Sequence, residues 1–240
     1  MKISPLQKLR MNYKPTIPAA LQRLPQLRLV KKEKTTALQD IEKLKALFPK
    51  TFGQPLAALA EEPAVLLKNK SPDKTQSLKI GVVFSGGQAA GGHNVIAGLF
   101  DALQELTVGG VLLGFLNGPA GLVDGQTLAI TQDLLQGYRN QGGFDLIGSG
   151  RTKIETPEQL QKALQTARRL QLDGIVIIGG DDSNTNAAVL AEYFLQQDCA
   201  TKVIGVPKTI DGDLRNDYVA ISFGFDTACK VYAELIGNIA

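Results

Sequence analysis

The chain has 240 residues, 44% of them apolar and 20% charged, which is enough for a real core in one or two domains. It has no apolar run of about 18 residues to span a membrane, and its start, Met1-Lys2-Ile3-Ser4-Pro5, lacks the apolar stretch of a secretory signal. The net charge of +3 conceals two parts of opposite sign: residues 1–75 carry 15 Lys and Arg against 6 Asp and Glu, and residues 76–240 carry 11 against 17.

Residues 1–75 read as a basic, proline-rich, helical extension. Pro5, Pro15, Pro18, Pro25, Pro49, Pro55 and Pro63 restrict them to short helices joined by extended pieces. The best helix there is Thr35–Phe48, stopped by Pro49. Leu38, Ile41, Leu44 and Leu47 fall at helical spacing and would pack on protein, leaving the lysines solvated. A basic arm can also meet nucleic acid, but the acidic remainder would repel a phosphate backbone. The polar run 68–75 reads as a linker.

Residues 76–240 alternate in α/β fashion. Lys79–Phe84 reads as a strand and Gly92–Leu106 as a helix. Val111–Leu116 is a strand, Thr127–Gln136 a helix, Phe144–Ile147 a short strand. Pro157–Leu170 is a helix with Thr156 as N-cap. Gly174–Ile178 is a strand, Ser183–Gln196 a helix, Lys202–Val206 a strand and Asp226–Ala240 a final helix. This order predicts an α/β domain with a mainly parallel sheet covered on both faces. The last helix carries no stop signal, so the expectation is an N-terminal portion of a longer protein. Cys199 and Cys229 have no metal-site spacing and suit a reducing compartment, so the expected location is cytoplasmic.

Four loops carry the chemistry. Ser85-Gly86-Gly87, continuing to Gly91-Gly92-His93-Asn94, lies between the first strand and first helix of the domain. Its glycines let backbone N–H groups face an anion at a helix N-terminus. It is neither a dinucleotide fingerprint nor a P-loop, since His93 stands where the P-loop lysine belongs. A phosphate cradle and a tight βα turn both fit it. Gly148-Ser149-Gly150-Arg151-Thr152-Lys153 offers two cations that could clamp a phosphoryl group or simply form a solvated turn. In Gly179-Gly180-Asp181-Asp182-Ser183 one carboxylate could cap the following helix, and Asp181 could bind Mg²⁺. In Pro207-Lys208-Thr209-Ile210-Asp211-Gly212-Asp213 a carboxylate could accept a hydroxyl proton and Lys208 could neutralise transferring charge. His93 is the only histidine, so the chain holds no His-rich metal site.

Together these four motifs resemble those of the phosphofructokinases, most nearly the long, pyrophosphate-dependent branch, over residues 76–240. The resemblance implies a Rossmann-like three-layer phosphofructokinase fold. It also implies transfer of phosphate from pyrophosphate to the 1-hydroxyl of fructose 6-phosphate. Asp211 matches the family's base. Thr209, Ile210 and Asp211, with Asp213 nearby, match sugar-phosphate contacts. Asp181 matches the Mg²⁺ site, Gly87 the residue whose amide meets the donor, and Arg151 a phosphoryl-contacting arginine. Asp182 stands where ATP-using relatives carry glycine, and Lys208 where they usually do, so the two imply pyrophosphate as donor. A carboxylate at 182 would repel and crowd an ATP α-phosphate, and Lys208 can offset the charge of a compact donor. Ala90 departs from the proline of many relatives. The resemblance further implies a homo-oligomer, a dimer, with further sugar-phosphate contacts C-terminal to Ala240 and from a second subunit. The 240 residues alone are therefore expected to be inactive. A non-catalytic subunit of the same fold and an ATP-dependent kinase are the alternatives.

Overall fold

The computed structural model describes residues 27–61, 76–89, 91–141, 144–212 and 214, with isolated positions toward each end (5, 8, 9, 12, 229, 232, 233, 235–237 and 239). The expected linker 68–75 lies outside the described residues, as does most of the expected final helix Asp226–Ala240.

The N-terminal arm is built differently from the helical extension that proline density suggests. Strand β1 (Leu27–Lys34) is followed by helix α1 (Ile41–Leu47) and strand β2 (Pro55–Glu61). The strands pair antiparallel, Leu29 opposite Leu59 and Val30 opposite Ala58. Thr35 closes the pair by donating its amide (3.0 Å) and its hydroxyl (2.7 Å) to the Gln54 carbonyl. Of the expected helix Thr35–Phe48, only Ile41–Leu47 is helical, and it buries none of its residues. Leu38 is fully exposed, so the expected packing face does not form.

The arm is fastened instead by a buried carboxylate. Glu192, only 4% exposed, accepts hydrogen bonds from the Lys50 and Thr51 amides, the Thr51 hydroxyl and the Gln196 amide group. Burial pushes its carboxyl up, but these donors, Gln196 first and then Thr51 and Lys50, outweigh burial and hold it below the ordinary carboxylate range.

The second unit begins with β3 (Lys79–Ser85), α2 (Gly92–Leu106), β4 (Val111–Phe115) and α3 (Pro119–Asp124). It continues with β5 (Thr127–Ala129), α4 (Gln132–Gln136) and α5 (Pro157–Leu170), and closes with β6 (Gly174–Gly179), α6 (Asp181–Gln196) and β7 (Lys202–Pro207). The sheet order is β5-β4-β3-β6-β7. All neighbours run parallel except the edge strand β5, which is antiparallel to β4. The expected α/β architecture is therefore present. Side chains alternate across the sheet with the period of two that strands impose. Val82, Phe84, Val176 and Ile178 pack with Ile96 of α2 and Leu135 of α4 on one face. Val83, Ile175 and Ile177 pack with Leu122, Leu164 and Leu190 from α3, α5 and α6 on the other.

Two expected elements differ. Thr127–Gln136 is not one helix. Thr127–Ala129 adds to the free edge of β4, Leu113 opposite Ala129, and Thr131 then caps α4 by accepting from the Leu134 amide at 3.3 Å. Phe144–Ile147 is a turn, not a strand. Its apolar residues are buried because the turn plugs the sheet face: the Phe144 ring stacks on Phe84 with centroids 4.0 Å apart and planes 6° apart. Among the described residues no helix is long and apolar enough to cross a membrane.

Candidate functional site

The chain leaves β3 through α2 to reach β4 on one side, whereas β6 lies on the other side of β3. The C-terminal ends of β3 and β6 therefore flank the point where strand order reverses, the place at which open α/β sheets bind ligands. Ser85-Gly86-Gly87 and Gly179-Gly180-Asp181 lie there.

The floor between them is backbone packed on backbone. Gly86 N–H donates to the Gly150 carbonyl at 2.8 Å, Ser149 Oγ donates to the Gly86 carbonyl, and Ser85 and Gly150 form a parallel bridge. A side chain at Gly118 (φ 81) would collide with the backbone of Gly150 and Phe84, and one at Gly150 with the Asn117 carbonyl. This contact puts Arg151 above Gly87, where a Cβ on Gly87 would lie 3.8 Å from Arg151 Nη2. The loop 148–153 thus reaches the sheet through the bridge at Gly150, not as the continuation of a strand.

The helices that start at this end are capped by glycine. α2 has Gly91 and α6 has Gly180 at the N-cap, neither with a side chain to satisfy the first-turn amides. By contrast, α5 is capped by its own side chains, Thr156 and Gln159 forming a full capping box. Asp181 and Asp182 lie inside the first turn of α6, so the helix starts two residues earlier than expected and neither carboxylate caps it. Their charges favour the positive end of the helix. Asn184 Nδ2 donates to the Gly179 (2.8 Å) and Gly180 (2.9 Å) carbonyls, fixing the strand-to-helix turn. Ser183 Oγ donates to Ser85 Oγ at 2.8 Å, joining the two strand ends.

The resulting cleft has a volume of about 230 Å³ and is lined by Ser85, Gly86, Gly87, Arg151, Thr152, Lys153, Asp182, Ser183 and Asn186. It brings together three of the expected residues, Gly87, Arg151 and Asp182. It also reveals an ion pair absent from the sequence reading, Lys153 Nζ to Asp182 Oδ2 at 3.3 Å. Lys208, Thr209, Ile210 and Asp211 follow β7, the neighbour of β6, and are held beside the cleft by the Lys208 amide, which donates to the Gly179 carbonyl at 2.9 Å. Lys208 and Thr209 are half-buried, and Ile210 and Asp211 are exposed. Thr209 Oγ1 accepts from the Asp211 amide at 3.1 Å, shaping the turn that presents Asp211. Asp213 and Ala90 lie outside the described residues. Asn186, which also lines the cleft, accepts from the Ile154 amide (3.1 Å) and donates to the Ile154 carbonyl (2.8 Å).

Among the described residues no group of three or more His, Cys, Asp and Glu side chains could cage a metal. Asp181 is not among the residues that line the cleft; it is an exposed carboxylate in the first turn of α6, next to Asp182, and a lone carboxylate has the chemistry of a Mg²⁺ ligand, since that cation keeps several of its waters.

The phosphofructokinase family profile matches residues 79–240. A pyrophosphate–fructose 6-phosphate 1-phosphotransferase of Treponema pallidum is 52% identical over 247 residues, covering all of this chain and 42% of the relative. The beta 2 subunit of the Arabidopsis thaliana enzyme of that name is 56% identical over 198 residues, covering 82% of this chain and 34% of the relative. The chain thus spans about two fifths, or less, of the length of these curated relatives. Among solved structures, a phosphofructokinase from Saccharomyces cerevisiae matches 68% of this chain and 21% of its own with a TM-score of 0.51 at 22% identity, which supports the fold. The chain belongs to the phosphofructokinase family.

Proposed function

We propose that this member of the phosphofructokinase family supplies the donor-binding half of an enzyme that transfers a phosphoryl group from pyrophosphate to the 1-hydroxyl of fructose 6-phosphate. The products are fructose 1,6-bisphosphate and phosphate. One observation carries this reading. The Gly87–Arg151–Asp182 cleft and the Lys208–Asp211 loop, two loops at the ends of neighbouring strands, are locked side by side through the Gly179 carbonyl. The names of the similar proteins above support the same reading.

The chemistry divides among the residues. In the cleft, Gly87 offers its amide and Arg151 its guanidinium to donor oxygens. Asp211 takes the proton of the 1-hydroxyl as its oxygen bonds to the transferred phosphorus and the bridging P–O bond of the donor breaks. Lys208 neutralises charge that builds on the transferring group, and phosphate leaves with the bridging oxygen. Thr209, Ile210 and Asp211 border the sugar, and the family resemblance adds Asp213. Mg²⁺ held at Asp181 would neutralise donor oxygens. The proteins' positioning of reactants, rather than covalent chemistry, accounts for the rate. Assembly as a homodimer belongs to the same reading and rests on the family resemblance alone.

The test is an assay of a protein of the relatives' length carrying these residues, with fructose 6-phosphate and Mg²⁺, comparing pyrophosphate with ATP. Turnover with pyrophosphate is expected. Turnover with ATP only would overturn the donor assignment.

A further inference from the structure

The cationic loop is fastened to α6 at two points one helical turn apart. Asp182 and Asn186 are four residues apart and so share a face of the helix. Asn186 grips both backbone groups of Ile154, a residue 1% exposed, with bonds of 3.1 and 2.8 Å. Asp182 holds the ammonium of the neighbouring Lys153 at 3.3 Å. Both partners of that ion pair line the cleft.

The side chains of Lys153 and Asp182 are 51% and 82% exposed. An ion pair so wet contributes little to stability, and it costs little to move its ammonium from the carboxylate onto another oxygen. The backbone beneath it is a different matter: the Asn186 clamp fixes where Lys153 starts from. Arg151 and Lys153 thus present two cations to the cleft, and Asp182 offsets one of them.

We propose that Lys153 is a donor-contacting cation and that Asp182 acts on donor choice through it, as one coupled pair, with Asn186 as the positioning residue. The proposal rests on pyrophosphate being the donor. A compact diphosphate, all of whose charge lies inside the cleft, meets Lys153 and Arg151 together. With Lys153 gone, the Asp182 carboxylate is left uncompensated against the donor. The carboxylate, compensated by Lys153 in the wild type, then becomes an obstacle to diphosphate binding.

That dependence on Lys153 is what the experiment reads. In the full-length protein, Lys153→Met is expected to raise the KM for pyrophosphate about tenfold, the loss of one charge-assisted hydrogen bond. Its calorimetric pyrophosphate affinity should fall in parallel, while Lys153→Arg stays within about threefold of wild type. Asp182→Asn should change pyrophosphate binding by less than about threefold in the wild-type background, where Lys153 compensates the carboxylate, and restore at least part of it in Lys153→Met. A residue that merely packs would not produce this dependence on background. Equal effects of Asp182→Asn in both backgrounds, or a KM for Lys153→Met within twofold of wild type, would overturn the proposal. Absence of pyrophosphate turnover in the wild-type protein would instead overturn the functional reading beneath it.

Discussion

Glu192→Gln keeps the shape of the clasp on the N-terminal arm and removes its charge. The carboxylate accepts from the Lys50 amide at 3.1 Å, the Thr51 amide and hydroxyl at 2.9 Å each, and Gln196 at 2.8 Å. A carboxamide has one acceptor oxygen, and its NH₂ would face a backbone donor that it cannot bond. Hydrogen bonds to a charged group contribute about 1.5–3 kcal/mol each. Loss of the equivalent of one should let the arm open about 10- to 150-fold more often. Amide hydrogen exchange at Lys50 and Thr51 measures this directly, with the buried β6 amides as an internal reference. Exchange at those two positions within threefold of wild type would refute the reasoning. The same carboxyl gives a pH dependence with a fixed sign. Its folded-state pKa is depressed, so its contribution is complete above the unfolded value of about 4.3 and is lost as pH falls through the folded value. The arm should therefore stay docked at neutral pH and loosen in acid, and Glu192→Gln should lack that acid-side loss.

Asp211→Ala in the full-length protein should lower kcat at least about a hundredfold with an unchanged circular dichroism spectrum, because the side chain is exposed and a positioned base contributes that much; near-wild-type turnover would remove Asp211 as base. Phe144→Ala should cost about 3–5 kcal/mol in urea unfolding, since the ring is 1% exposed and stacked on Phe84. A loss below about 1 kcal/mol would mean that the 144–147 turn is not a core element.

What could be read from sequence depended on whether local signals decided the structure. β3, β6 and β7 are β-branched, apolar runs bounded by glycine or proline, and α5 carries its own capping box, so each declares itself. Thr127–Ala129 has no such signal: the same residues fit a helix, and only the free edge of β4 makes them a strand. The hairpin of the arm is similar, because Pro55–Glu61 is rich in alanine and its partner is some 28 residues away in sequence. The 144–147 turn shows that an apolar run reports burial, not extension. At the site, the places of the glycine and aspartate loops were legible because each follows an apolar strand run. The Lys153–Asp182 pair and the Asn186 clamp were not, since they require knowing that residues 151–154 lie across α6.

The glycine floor and the charged rim have different freedom to change. At Gly118 and Gly150 any side chain meets backbone, which cannot move aside without shifting the whole sheet end. Asp182 and Lys153 stand largely in water, where substitution hardly touches the fold. Mutational paths at this cleft are therefore lopsided: its backbone shape is locked, while the charges on its rim can vary one residue at a time. If the cleft holds the donor as proposed, a family built on this plan can exchange one phosphate donor for another through folded, stable intermediates.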